Sequence, residues 1–144
     1  MLMAILYNPI FQTTLTAVII AQILKAILDY WRLKHFHWQS LFRGAGMPSS
    51  HTATVAALTL SVIIVEGINT LSIVTFVFAS IVIRDVIGDK IFAVHQEKKI
   101  NIIIQQLLRQ EKVEWTHLIG HTITEVIAGM ILGVLVTITI FYGL

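Results

Sequence analysis

Charge along this chain comes in blocks. No Asp, Glu, Lys or Arg occurs in residues 1–24, 44–65, 67–83 or 126–144. A helix needs about 20 apolar residues to cross the hydrocarbon core of a bilayer, and each block is that long or nearly so. The pattern predicts spans at about 10–28, 46–66, 68–88 and 121–142. Only Glu66-Gly67-Ile68-Asn69 separates the second from the third, which makes them a hairpin with a tight turn. Two polar segments remain, 29–45 and 89–120. In the first, Trp31, Phe36 and Trp38 interleave with Arg32, Lys34, His35, His37 and Arg43. Between membrane spans that mixture reads as an interfacial segment and not as a nucleic-acid site. In the second, Ile100, Ile103, Ile104, Leu107 and Leu108 recur at helical spacing, which predicts an amphipathic helix on the membrane surface.

Composition sharpens the picture. Of 144 residues, 56% are hydrophobic and 12% charged, about half the charge a soluble surface carries. Met1-Leu2-Met3-Ala4 has no basic n-region, so the first block is expected to be a retained helix and not a secretory signal. There is no cysteine, which rules out disulfides and thiolate metal sites. The expected fold is one all-α integral membrane domain over 1–144, with about four transmembrane helices plus interfacial amphipathic helices. All ten Lys and Arg residues lie within 25–43 or 84–112. The positive-inside rule then places 29–45 and 89–120 in the cytoplasm and both termini outside. The plasma (inner) membrane is the expected location. Gly129-Met130-Ile131-Leu132-Gly133 is a small-xxx-small pattern that lets helices approach closely, and a homodimer through Gly129 and Gly133 is an expectation from it.

The candidate chemistry sits at two span starts that this topology puts on one face. Gly46-Met47-Pro48-Ser49-Ser50-His51 precedes the second span, with Pro48 read as an early helical position. Helix starts carry unpaired N–H groups and partial positive charge, which suits an anion, phosphate above all. At the start of the last span, His121 and Glu125 are four apart and share a helical face. A carboxylate there can fix one imidazole nitrogen and raise the basicity of the other, making His121 a candidate nucleophile toward phosphorus. His51 is then placed to protonate the leaving oxygen. The bland reading keeps the histidines as polar interfacial groups and Glu125 as a helix-start charge.

The strings Pro48-Ser49-Ser50-His51 and His121-x-x-x-Glu125 resemble the second and third motifs of the type 2 phosphatidic acid phosphatase and vanadium haloperoxidase superfamily. The chain is most similar to the divergent branch of that superfamily, a group of small membrane proteins. The likeness runs through Asn8, Gln22 with Lys25, Trp38, Gly46 to His51, Glu66-Gly67, Asp85 with Gly88, Gln96, Asn101, Gly120-His121 and Glu125-Val126. It implies that His121 forms a phosphohistidine, that Glu125 is its partner and His51 the leaving-group acid, and that Lys25, Ser49 and Ser50 hold phosphate. It also implies hydrolysis with no metal and no cofactor, because cations and helix-start N–H groups stabilise the transferring oxygens.

The chain departs from the superfamily pattern at four places. Ser50 stands for the motif's Gly and Glu125 for its Asp. No Arg-Pro follows Lys25, and Trp115 stands where an Arg should precede His121. Arg84 and Lys90 are candidate substitutes for that lost cation. Asp85 and Asp89, four apart, suit either Mg²⁺ held with a substrate phosphate or pairing with nearby cations. Asp89 is read as paired, and Asp85 is kept as a candidate site carboxylate with no metal assigned. The expected activity is a membrane phosphatase for a lipid phosphate or diphosphate monoester at the cytoplasmic face. The alternative is a non-catalytic membrane protein whose anion pocket binds a phosphorylated lipid or a partner.

Overall fold

The computed structural model describes residues 2–33, 46–108 and 121–143, and among these the regular structure is entirely helical. A short helix α1 (Leu2–Leu6) leads into α2 (Pro9–Leu33). Asn8 starts α2 by accepting the N–H groups of Ile10 and Phe11 on its Oδ1. The polar residues Thr13, Thr14 and Thr16 return their hydroxyls to carbonyls four residues back, so they cost little in an apolar setting.

The helix α3 (Ser50–Glu66) follows, capped by Ser49, whose Oγ accepts the Thr52 N–H. Pro48 therefore precedes the cap and is not an early helical residue as the sequence suggested. The chain turns at Gly67, where φ is +74°, and Asn69 then caps α4 (Thr70–Ile103) in a reciprocal pair with Ser72. Finally α5 (Ile123–Tyr142) begins at Thr122 and ends at Gly143, where φ is +69°.

Three of the helices hold apolar stretches long enough to cross a membrane, and α3 is a shorter apolar helix of 17 residues. Their outer faces are oily: Phe76 is 63% exposed, and Ile81 and Ile131 are exposed too. The fold is that of an all-α integral membrane protein. The sequence placed the third span's end near residue 88, yet α4 runs unbroken to Ile103 and ends in a π turn, Ile104–Leu108. No proline or glycine interrupts 89–108. At 1.5 Å per residue, a helix of 34 residues is roughly 51 Å long against a core of about 30 Å. The amphipathic stretch expected as a separate helix is thus, over its described part, the continuation of α4.

The central helix is α3, which packs against α5, α2 and α4. Small residues make this close. A Cβ at Gly129 would overlap the Thr52 hydroxyl and the Ser49 carbonyl, and one at Gly133 would overlap the Ala53 carbonyl. Ala17, Ala57 and Val136 form the core where α2, α3 and α5 meet. The glycine stripe predicted from sequence does bring helices together, but inside one chain. Its face is occupied by α3, so the homodimer contact expected through Gly129 and Gly133 does not run there.

Candidate active site

The starts of α3 and α5 are tied to each other by backbone and side chain. The Ser49 N–H donates to the Glu125 carbonyl at 3.1 Å. The Thr52 hydroxyl lies 3.2 Å from the Ser49 carbonyl and 3.1 Å from that of Val126. The glycines below allow this approach. The third helix joins them, since the His121 N–H donates to the Val86 carbonyl of α4 at 3.3 Å. Three helices thus fix the backbone around the two histidines.

His121 is 3% exposed, and its Nδ1 lies 3.1 Å from Oε2 of Glu125. The same oxygen accepts the Thr122 N–H at 3.0 Å. An ionised carboxylate only accepts, so Nδ1 carries the hydrogen and Nε2 presents a lone pair. That Nε2 is buried and has no hydrogen-bond partner among the described residues. A buried acceptor without a donor costs roughly 1–3 kcal/mol, which marks it as an atom awaiting a ligand. The rings of His51 and His121 stand edge to face, with centroids 5.8 Å apart. His51 is exposed. Burial pushes His121 below the ordinary imidazole pKa; Glu125 opposes this, while His51 and the Lys25 charge add to it.

Lys25 comes from α2 and is 1% exposed. Gly46 lies over it with φ at +128°, and a Cβ there would stand 2.7 Å from Lys25 Cε. One turn earlier on α2, Gln22 places its Nε2 3.4 Å from Ser50 Oγ, while its buried Oε1 has no partner among the described residues. Lys25, Ser49, Ser50, His51, His121 and Glu125 are therefore gathered by the starts of α3 and α5 and the adjoining turns of α2. The Ser49 hydroxyl is fully buried and is the cap of α3.

The remaining candidates sit on α4. Arg84 and Asp85 are exposed and flank the turn whose Val86 carbonyl holds His121, and Lys90 is half-buried one turn further on. Asp89 is exposed beside it. Trp115, Trp38 and the rest of 34–45 and 109–120 lie outside the described residues. Among the described residues no three metal-ligating side chains cluster.

Sequence reasoning missed the parts that act through backbone. Thr52 and Val86 carried no motif signal as connectors, and Gly46 gave no sign that it packs on a lysine. Gln22 was visible as part of the family likeness and as a polar residue within a span, but not as a neighbour of Ser50.

Comparison with known proteins agrees with this frame. The chain is 28% identical over 155 residues to YuiD of Bacillus subtilis (strain 168), described as an uncharacterized membrane protein, with 97% of this chain and 98% of that one covered. No solved structure matches. The profile described as Divergent PAP2 family matches residues 6–136, and the chain belongs to that family.

Proposed function

We propose that the chain is a metal-independent phosphatase that hydrolyses a lipid phosphate or diphosphate monoester through a phosphohistidine at the cytoplasmic face. The observation that carries this reading is the lone pair of His121 Nε2, buried, unpartnered among the described residues, and held in its tautomer by Glu125. Nε2 attacks the terminal phosphorus and its bond to the leaving oxygen breaks. His51, in its protonated form, gives that oxygen a proton, and the lipid alcohol leaves from a phosphate ester or the lipid monophosphate from a diphosphate. Water then attacks the phosphorus of the phosphohistidine and passes a proton to His51, and the P–N bond breaks to release inorganic phosphate.

Lys25 and the N–H groups at the start of α3 balance the charge on the equatorial oxygens, with Ser50 as a further donor. Arg84 and Lys90, on the stretch of α4 that carries Val86, would supply positive charge in place of the missing arginine. The distribution of Lys and Arg supports a cytoplasmic site with both termini outside.

Hydrolysis in liposomes tests the reading. Phosphatidic acid, phosphatidylglycerophosphate and isoprenyl phosphates are offered to the wild type and to His121→Ala. Phosphate release by the wild type alone is the expected result. Equal release from both proteins would end the enzymatic reading.

A further inference from the structure

An apolar groove of about 500 Å³ runs along the outer seam between α2 and α5. Leu24 and Leu28 line one wall, Ala128, Leu132 and Leu135 the other, and Pro48 lies among them. We infer that this groove seats a hydrocarbon chain of the lipid whose phosphate occupies the His121–His51 site. The inference rests on that site being a lipid-phosphate site.

Groove and site share their backbone. Leu24 immediately precedes Lys25, and Pro48 immediately precedes Ser49. On α5, Glu125, Ala128 and Leu132 follow at i, i+3 and i+7, so one helical stripe leads from the histidine's partner into the groove wall. On α2, Lys25 and Leu28 are three apart and adjoin in the same way. The two halves have opposite chemistry. One offers a buried ammonium and an imidazole nitrogen with no partner among the described residues, the other an almost wholly apolar lining. A long-chain phosphate ester has that same division between anionic head and oily tail. A water-soluble phosphate ester would use only the polar half.

The arrangement also fixes how the substrate enters. The groove is open along one side, so a lipid can slide in from the bilayer with its chain leading and its head following to the histidines. Burial of each methylene contributes roughly 0.8 kcal/mol when it leaves water, but far less when it leaves lipid. The groove therefore positions the ester more than it tightens binding, and its effect belongs in discrimination between chain lengths.

Photolabelling of the wild-type chain in vesicles of uncharged lipid tests this. Two probes carry the same diazirine-bearing hydrocarbon chain, one ending in a phosphate and one in the free alcohol. The expected result is that the phosphate probe labels 24–31 and 128–135 severalfold more than the alcohol does. Ala128→Trp, which fills the groove, is expected to lower this labelling and to reduce the ratio of kcat/KM for long-chain over short-chain phosphate esters. Equal labelling by both probes, label spread over α4, or a second copy crosslinked into the groove would each overturn the inference. The two proposals fail separately. Head-dependent groove labelling without hydrolysis leaves the groove standing and removes the phosphatase, while hydrolysis without groove labelling does the reverse. Labelling of the wild type decides the matter even where the variant does not fold.

Discussion

Oε2 of Glu125 lies 3.1 Å from Nδ1 of His121 and also accepts the Thr122 N–H at 3.0 Å. One carboxylate oxygen thus caps α5 and fixes the imidazole. The sequence offered these as rival readings of Glu125, and the geometry makes them one arrangement: the helix start that the carboxylate stabilises is the support that aims the ring. Glu125→Gln keeps a polar group of the same size but can present its NH₂ to Nδ1 and invert the tautomer. Its kcat is expected to fall by about 10²–10⁴-fold with little change in melting temperature. Glu125→Ala also loses its half of the capping box with Thr122, about 1 kcal/mol, and melts a few degrees lower. Steady-state kinetics and thermal melts in detergent separate the two effects.

His121 gives a pH signature. Burial lowers its pKa from 6.5, the Glu125 contacts oppose the shift, and His51 and Lys25 reinforce it. Well above pH 6.5 the ring is neutral in both folded and unfolded chains and contributes no pH dependence. As pH falls below that value the unfolded chain takes up the proton first, so stability declines until pH has passed the lower folded value. The acid limb of kcat/KM governed by His121 is accordingly expected below pH 6.5. In His121→Asn, melting curves recorded against pH should lose this part of the decline.

The helix packing predicts a contrast among glycines. Gly133→Ala forces a methyl against the Ala53 carbonyl and 2.9 Å from the Ala56 Cβ, where backbone must move. A cost of about 1–3 kcal/mol is expected. Gly88→Ala, with nothing within 4 Å of the new Cβ, gains roughly 0.5–1 kcal/mol from helix propensity. Thermal melts of the two variants in one detergent should shift in opposite directions.

Lys25 and Gly46 form another pair that can be probed together. Gly46→Ala meets both a positive φ of +128° and the Lys25 side chain, at a strain of about 1–3 kcal/mol. Because it displaces the ammonium, KM should rise, as it should in Lys25→Met. The double variant is expected to be less than additive, since Gly46→Ala acts partly through the lysine. Comparing KM across this cycle measures the coupling.

The membrane architecture was legible because bilayer length and charge exclusion act on every residue of a span. The uncharged blocks located α2 to α5, and the Glu66–Asn69 turn lies where Gly67 and Asn69 required it. The pairing of His121 with Glu125 was legible from spacing alone. What lay beyond the sequence were contacts between distant segments. The extension of α4 to Ile103 could not be separated from a new surface helix, because helical periodicity is the same either way. The stripe of Gly129 and Gly133 announced a close neighbour but not which one. The meeting of His51 with His121 depends on Thr52 and Val86, whose hydroxyl and carbonyl have no pattern of their own.

The most direct test of the account is a trapping experiment. The wild-type chain is mixed briefly with a ³²P-labelled lipid phosphate, quenched in base, and digested for peptide mapping. A base-stable, acid-labile phosphate on His121, present in wild type and absent in His121→Asn, is the predicted result. Hydrolysis that proceeds with no such adduct, or an adduct on another residue, would contradict it.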